Sequence, residues 1–600
     1  MLDAELFQPS KKGLVLVRLC ILGLFCVFAL RLWYLQIHKG ETFASKAREN
    51  RLREIPVYAP RGLIRDRHGT LVAENTPAYA LALIREESPD IAACLQQVSR
   101  WTGHPLSELR SRFERGRKRT RPFESQVLIP HLDFELVARI EAHAPEWPGL
   151  KVLSRPQRYY PYGRDLAHVL GYVAQASEEE LRSDSMLRLG DTVGKQGIEK
   201  VLEQRLRGDK GRKQVEVDAV GRGLQERVLR QPKAGNDVRL SIDLSLQRLA
   251  MDLLTDKAGV IIVLEPETGQ VLTLASSPSY DSNLFVEGIS PKDWKRLLHH
   301  PRNPLQNRAI QSAYPPGSVF KLVMAGCALH EMGVDPEREV YCNGAYRLGN
   351  RSFRCWKKWG HGDVDLQKAL VQSCDVYFYK LGQELGVDTI SPYAKAWGLG
   401  SKTGIGLPHE RNGLIPSRAW KRHQLGAGWQ GGETLNMSIG QGFTLTTPLQ
   451  IARVVGALVN KGQLVKPTLL QDAAVEIEGE VPLDPPERQR IVEYMVDTVE
   501  SRRGTARVLR TEDVVIGGKT GTAQVVKLRD DEEEEEETPY KYRDHAWMAS
   551  FGRRGEDQYV VVTFIEHGGH GGAAAGPPTK AIYEALFPQL GKGDETDDAG

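Results

Sequence analysis

The sequence predicts a multidomain α+β protein behind an N-terminal membrane anchor. Three observations carry that expectation. Six hundred residues exceed what one hydrophobic core organises. An apolar run long enough to span a bilayer opens the chain, and no other stretch reaches that length. In the C-terminal part, strand-like patterns at 259–276 and 514–565 enclose a helix-like middle from 320 to 500, the layout of one sheet built from both ends of a domain. Composition is ordinary for a globular chain, with 41% hydrophobic and 26% charged residues. A net charge of +3 gives no electrostatic footprint for nucleic acid, so no such partner is expected. Seven cysteines are too few for a disulfide framework at this length.

The elements follow in order. Residues 14–30 are apolar except for Arg18, and Leu32-Trp33-Tyr34-Leu35 extends them with aromatics suited to an interface. Lys11, Lys12 and Arg18 lie at the N-terminal side, so the positive-inside rule makes 1–12 a cytoplasmic tail, 13–35 a single anchor and the rest external. No A-x-A-like cleavage site follows the run. Residues 36–60 are charge-rich, and 59–73 read as turn, strand, Asp/Gly turn and strand. Helical periodicity appears at 91–101, 106–115 and 134–144. Arg158 and Arg164 have no nucleophile beside them and read as structural. Gly194-Lys195-Gln196-Gly197 reads as a turn entering a helix, and the segments 215–217 and 238–242 as strands. A boundary near 237 separates a non-catalytic region, 36–236, from a C-terminal domain, 237–590. The acidic run 530–537 reads as a solvated loop and the tail 591–600 as disordered.

The chemistry centres on Tyr314-Pro315-Pro316-Gly317-Ser318-Val319-Phe320-Lys321. A Pro/Gly turn leads into an apolar helical run, which sets Ser318 and Lys321 one turn apart on one face. A serine hydroxyl needs a base, and a lysine desolvated by apolar neighbours has a lowered pKa and can serve as one. Ser373-Cys374-Asp375 follows between helix-like stretches, and Lys519-Thr520-Gly521-Thr522 lies inside a strand pattern with glycines at 517, 518 and 521. Glycine in a strand marks a close approach to its backbone, and a strand edge takes an extended peptide by strand addition. Lys519 with adjacent hydroxyls suits a carboxylate-ended substrate.

S-x-x-K, S-x-[ND] and K-T-G-T in this order resemble the penicillin-recognising serine transferases. The anchor, Arg61-Gly62-Leu63-Ile64-Arg65-Asp66-Arg67, Tyr159-Tyr160-Pro161-Tyr162-Gly163, Trp356-Lys357-Lys358-Trp359-Gly360-His361-Gly362 and Ser438-Ile439-Gly440-Gln441-Gly442 extend the likeness over nearly the whole chain. The sequence resembles the class B penicillin-binding proteins, on their elongation-specific branch. That resemblance implies an elongated mixed pedestal, of dimerisation type, below a transpeptidase domain with a central antiparallel sheet flanked by helices, as in serine β-lactamases. It implies a bacterial inner-membrane protein with its catalytic domain in the periplasm. Its reaction would crosslink peptidoglycan stem peptides through a Ser318 acyl-enzyme during cell elongation and rod-shape maintenance. Ser318 would be the nucleophile and Lys321 its base. Ser373 would relay the proton and Lys519 support the relay, while Thr520, Gly521 and Thr522 would line the substrate. Backbone N–H groups of Ser318 and Thr522 would hold the oxyanion. Asp375 stands where asparagine is commoner in the motif. The implied partners are lipid-linked precursor, β-lactams, a SEDS-family glycosyltransferase, other elongation-complex proteins and the membrane. A D,D-carboxypeptidase or β-lactamase-type hydrolase, or a scaffold that activates a glycan polymerase, are the competing readings. The long segment before residue 237 argues against the hydrolase, and the intact Ser318, Lys321, Ser373 and Lys519 argue against the scaffold.

Cys342, Cys355, His361 and Cys374 have the spacing C-x12-C-x5-H-x12-C. Three thiolates and an imidazole suit a closed tetrahedral zinc site. A Cys342–Cys355 disulfide, or separate buried cysteines, fit the same spacing. Cys374 is the middle residue of the Ser373 motif, so a metal there would fix the active-site wall.

Overall fold

The computed structural model describes residues 11–43, 45, 52–117, 120–188, 190–217, 223–525 and 539–588. The acidic run 530–537, the tail 591–600 and most of the cytoplasmic tail lie outside the described residues. An N-terminal helix, Lys11–Trp33, continues as one π-helical turn, Tyr34–His38. By length and composition it can cross a bilayer.

The chain divides into two compact units. The first takes residues 1–60, 77–156 and 208–234. In it, helices Ile91–Thr102, Leu106–Arg117 and Phe134–Ala142 bury their apolar stripes around Leu81, Leu83, Val98, Phe113, Leu128 and Ile140. These are the three helices predicted from periodicity. Asp90 and Asp133 cap two of them, and Cys94 sits buried in this core, as its apolar setting predicts. Strands Leu52–Val57, Gly211–Val217 and Gly223–Arg230 form a separate antiparallel sheet.

The second unit takes residues 61–76, 157–207 and 235–600. The boundary expected near residue 237 is therefore not a single cut. Two segments that precede it pack with the C-terminal unit. Leu63 N donates to Asp237 Oδ1 and Tyr160 N to Asn283 Oδ1 of the later chain, and a buried ion cluster joins the two segments to each other. Glu199, with no exposure, accepts from Arg158 Nε at 2.6 Å and from Arg61 Nε at 2.5 Å, and Tyr160 OH donates to the same carboxylate at 3.3 Å. Burial pushes the Glu199 carboxyl up, but the charges of Arg61 and Arg158 outweigh it and hold the group below its usual range. Arg158 also donates to Gly62 O at 2.7 Å, which pins the 61–76 segment. Arg158 is structural, as its isolation from any nucleophile predicts.

The centre of this unit is a five-stranded antiparallel sheet. Its strands are β1 (Gly259–Leu264) and β2 (Val271–Ser277), then β3 (Val515–Ala523), β4 (His545–Arg554) and β5 (Asp557–Ile565). Their spatial order is β2-β1-β5-β4-β3, so strands from both ends of the domain meet and β3 is an edge. β3 stops at Ala523, short of the predicted 526. Alternation along β1 sorts the two faces. Ile261 and Val263 pack with Leu246 and Ala250 of helix α1 (Leu244–Leu253) and with Ile582 of the C-terminal helix Gly576–Leu586. Val260, Ile262 and Leu264 pack with the helical middle. That middle includes α2 (Lys321–Met332), α3 (Asp375–Leu385) and α4 (Gly431–Ser438).

Glu199 pairs with Arg158 and shares Arg61 with Glu203, so removing its charge strips the buried Arg158 of its carboxylate partner. Glu199→Gln should destabilise the protein by about 3–5 kcal/mol, read as a lowered denaturation midpoint in the full-length chain. An unchanged midpoint would show that the cluster does not hold the 61–76 and 157–207 segments.

Candidate active site

Ser318 lies in a 3-10 turn, Gly317–Phe320, that runs directly into α2. The turn is held against edge strand β3 with little room to spare. A Cβ on Gly521 would lie 3.0 Å from both Pro316 O and Val319 Cγ2. A Cβ on Gly317, where φ is +54°, would lie 2.6 Å from Thr522 O. The strand glycines thus do mark close approach, but what approaches at Gly521 is the serine turn itself, and at Gly517 the Phe551 ring. Trp547 Nε1 donates to Pro315 O at 3.0 Å, and Gly317 N donates to Gly440 O at 3.0 Å. Gln441 Nε2 donates to Thr522 O at 3.1 Å, tying the loop after α4 to the same strand residue.

The structure brings Lys321, Ser373, Asp375 and Lys519 together beside this turn, all buried. Lys321 Nζ donates to Asp375 Oδ1 at 2.6 Å, to Ser373 O at 2.9 Å and to Ser373 Oγ at 3.3 Å. Lys519 Nζ donates to Ser373 Oγ at 2.9 Å. One hydroxyl therefore joins two lysines. Ser373 reaches this place with φ at +55°, a strained conformation for a side-chain-bearing residue of the kind found at functional sites. Burial, together with the charge of Lys321, pushes Lys519 well below the usual lysine range, with Asp375 acting the other way. Lys321 pairs with the Asp375 carboxylate, which leaves Lys519 with Ser373 Oγ and the Thr520 carbonyl as its partners. Burial raises the Asp375 carboxyl, and Lys321 opposes the rise. Thr520 Oγ1 donates to Thr505 Oγ1 at 2.8 Å, while Thr522 stays half-buried at the mouth.

Two contributors carried no role in the sequence reading. One is Gln441. The other is Trp356, whose backbone N donates to Asp375 Oδ2 at 2.9 Å and whose indole Nε1 donates to Ser373 O at 3.0 Å. Both lie in segments that carry the family resemblance, which by itself assigns them no contact.

The four candidate metal ligands also converge. Sγ of Cys342, Cys355 and Cys374 and a ring nitrogen of His361 all lie within 4.8 Å of one another, and all four residues are buried. His361 Nδ1 is 3.6 Å from Cys342 Sγ and 3.5 Å from Cys355 Sγ. A tetrahedral zinc with bonds of about 2.0–2.3 Å sets its nitrogen and sulfur ligands about 3.5 Å apart, so the residues fit that ion. All seven cysteines are free thiols, Cys342 and Cys355 included. Hydrogen bonds with Cys374 and His361 pull the Cys342 thiol down to about 6 and also lower Cys355, while Cys374 is pushed up by its two thiol neighbours. Cys374 is the N-cap of α3 and Asp375 its first residue, so the cluster and the lysine pair share one helix start.

Residues 259–584 match the penicillin binding protein transpeptidase domain, and residues 56–240 match the penicillin-binding protein dimerisation domain. The chain is 34% identical to peptidoglycan D,D-transpeptidase MrdA of Haemophilus influenzae over 95% of this chain and 90% of that protein. It is 35% identical to the protein of the same name from Acinetobacter baumannii, over 94% and 85%. It is similar in structure to a Helicobacter pylori penicillin-binding protein (PBP2) solved in complex with MreC, with a TM-score of 0.79 and 29% identity over 89% of this chain and 99% of that one.

The perturbed Lys519 gives a prediction with opposite signs for stability and activity. Between its depressed folded pKa and the ordinary lysine value of about 10.4, the unfolded chain binds a proton that the folded chain does not, so folded stability rises with pH in that window. Lys519→Met should raise the melting midpoint at neutral pH, with the gain shrinking as pH approaches about 10. The same variant should lose serine acylation roughly 100-fold or more. A variant that is less stable at neutral pH would contradict the depressed pKa.

Proposed function

The chain belongs to the class B penicillin-binding proteins, and from that premise we propose which of its residues carry the peptidoglycan D,D-transpeptidase reaction. One observation carries the assignment. Lys321, Ser373 and Lys519 form a buried hydrogen-bonded chain beside the Ser318 turn.

Ser318 Oγ attacks the carbonyl carbon of the donor stem peptide's penultimate residue. Lys321 first passes a proton to the Asp375 carboxylate 2.6 Å away, and its free amine then takes the Ser318 proton. The Ser373 hydroxyl passes a proton on to the leaving amine and is reprotonated by Lys321, so that D-alanine departs as the C–N bond breaks. Lys519, whose charged form burial disfavours, keeps Ser373 Oγ oriented through its hydrogen bond. Thr520 and Thr522 bind the donor along the open edge of β3, by strand addition. Thr522 lies against Gly317, which supports pairing its N–H with that of Ser318 as the oxyanion hole. An acceptor amine then attacks the ester, forms the crosslinking amide and returns a proton to Ser318. A β-lactam follows the first half and leaves a slow acyl-enzyme.

The finer assignments belong to this proposal too. The apolar N-terminal helix and its flanking lysines support a single inner-membrane anchor with the catalytic unit periplasmic. The likeness to an elongation-type penicillin-binding protein supports work during cell elongation, with a SEDS-family glycosyltransferase and other wall-synthesis proteins as partners. The converging thiols and imidazole support a structural zinc held by Cys342, Cys355, His361 and Cys374. When bound, the ion would supply rigidity rather than chemistry. Its ligand Cys374 lies between Ser373 and Asp375, so the site fixes both.

Ser318→Ala should abolish covalent labelling by fluorescent penicillin and the formation of crosslinked dimers from lipid-linked precursor with a partner polymerase. Undiminished labelling would move the nucleophile elsewhere, and release of D-alanine by the wild type without dimers would make it a carboxypeptidase. Elemental analysis should find about one zinc per chain, lost in Cys374→Ser together with most penicillin labelling. Zinc-free protein with full labelling would refute the metal assignment.

A further inference from the structure

A transpeptidase must hold two peptides, and the edge of β3 accounts for one. We propose that the segment 345–361 binds the second, an uncrosslinked anionic glycopeptide whose amine resolves the acyl-enzyme. This inference rests on the transpeptidase reading above.

Charge is the first ground. The segment carries Arg347, Arg351, Arg354, Lys357 and Lys358 and not a single aspartate or glutamate, in a chain whose net charge is only +3. All five cations are exposed. Stem peptides bear carboxylates, so a one-signed rim raises their local concentration and orients them.

Rigid aromatic exposure is the second. Trp356 is 61% exposed and Trp359 86% exposed. Exposed tryptophans are costly unless they meet something, and these two are not on a loose loop. The Trp356 indole is pinned to the carbonyls of Gln372 and Ser373. Gly344 and Gly360 pack so closely that a Cβ on either would lie 2.1 Å from a carbonyl oxygen of the facing segment, Lys358 O and Cys342 O. Cys355 and His361, at the two ends of the loop, belong to the buried four-ligand cluster. A preorganised aromatic face loses little entropy when a sugar ring or peptide stacks on it.

Continuity with the reaction centre is the third. The strands Ala345–Leu348 and Arg351–Arg354 form a hairpin that, with α4, bounds a cavity of about 340 Å³. Arg351, Phe353, Trp429, Asn436 and Phe443 line it together with Glu433, whose carboxylate is paired with Lys421, a mixture of aromatic faces and polar groups suited to a peptide that also carries charge. Gly442 is part of the same lining. Its neighbour Gln441 donates to Thr522 O, and Gly440 O accepts from Gly317 N. At 3.8 Å per residue, the cavity wall is about 8 Å along the chain from a direct contact with the serine turn. At the other end, Trp356 touches Ser373. The surface therefore runs from Ser373 to the loop that contacts the serine turn.

The test uses the full-length protein in detergent with lipid-linked precursor as donor and a soluble uncrosslinked disaccharide-peptide as acceptor. Arg351→Glu and the double variant Lys357→Glu/Lys358→Glu are compared with wild type for penicillin acylation, for donor consumption and for the ratio of transfer to hydrolysis. The inference predicts unchanged acylation and donor consumption. It also predicts a transfer-to-hydrolysis ratio lowered roughly fivefold or more, recovering as the acceptor concentration is raised. Lys357→Arg/Lys358→Arg should keep the wild-type ratio. An unchanged ratio in the Glu variants would overturn the inference. Donor consumption falling in step with transfer would overturn it by giving the surface to the donor. Failure of the underlying transpeptidase reading would show separately, as wild-type protein whose Ser318 takes no label.

Discussion

Two lysines and one carboxylate share a buried site, and the rest of the catalytic unit is arranged around that imbalance. Lys321, with its side chain fully buried, takes the carboxylate of Asp375. Lys519 has no carboxylate left, and burial beside a cation favours its neutral form. Two ammonium groups this close and dry would repel each other strongly. A single hydroxyl, Ser373 Oγ, mediates between them, and it can do so only because its backbone tolerates a positive φ. The strain at Ser373 is held in place by its surroundings. Trp356 binds its carbonyl, Cys374 is its neighbour in a four-ligand cluster, and α3 begins at Asp375.

The fold supplies each member from a different part of the chain. Lys321 comes from the first turn of a helix buried on nearly all sides, and Lys519 from the edge strand of a sheet that only the last hundred residues complete. Ser373 and Asp375 come from the start of another helix. Gly521 and Gly317 let the strand and the serine turn meet without intervening side chains. Two early pieces, 61–76 and 157–207, pack in the same unit as the catalytic residues, which lie after residue 235. Glu199 and its two arginines join those two pieces to each other.

Much of this was legible in the sequence because local patterns are strong where elements are long. The three helices before residue 145, the hairpin β1–β2 and the late strands appear within a few residues of their predicted bounds. Lys321, Ser373 and Lys519, each from one of three short motifs, also come together beside the Ser318 turn. What was not legible depended on contacts between distant residues. Spacing cannot say which of two lysines captures Asp375. Nor can it say that the glycines of β3 make room for the chain's own serine turn, or that Trp356 reaches Ser373 and Gln441 reaches Thr522. The convergence of Cys342, Cys355, His361 and Cys374 was one of three readings of their spacing, and only folding brings the four together.

The most direct measurement is peptide mapping by mass spectrometry after brief exposure of the full-length protein to a β-lactam. The account predicts a single acyl adduct on the peptide containing Ser318, formed quickly in wild type and strongly slowed when Lys321 is replaced by methionine. An adduct on any other residue, or acylation of Ser318 that proceeds equally well without Lys321, would contradict it.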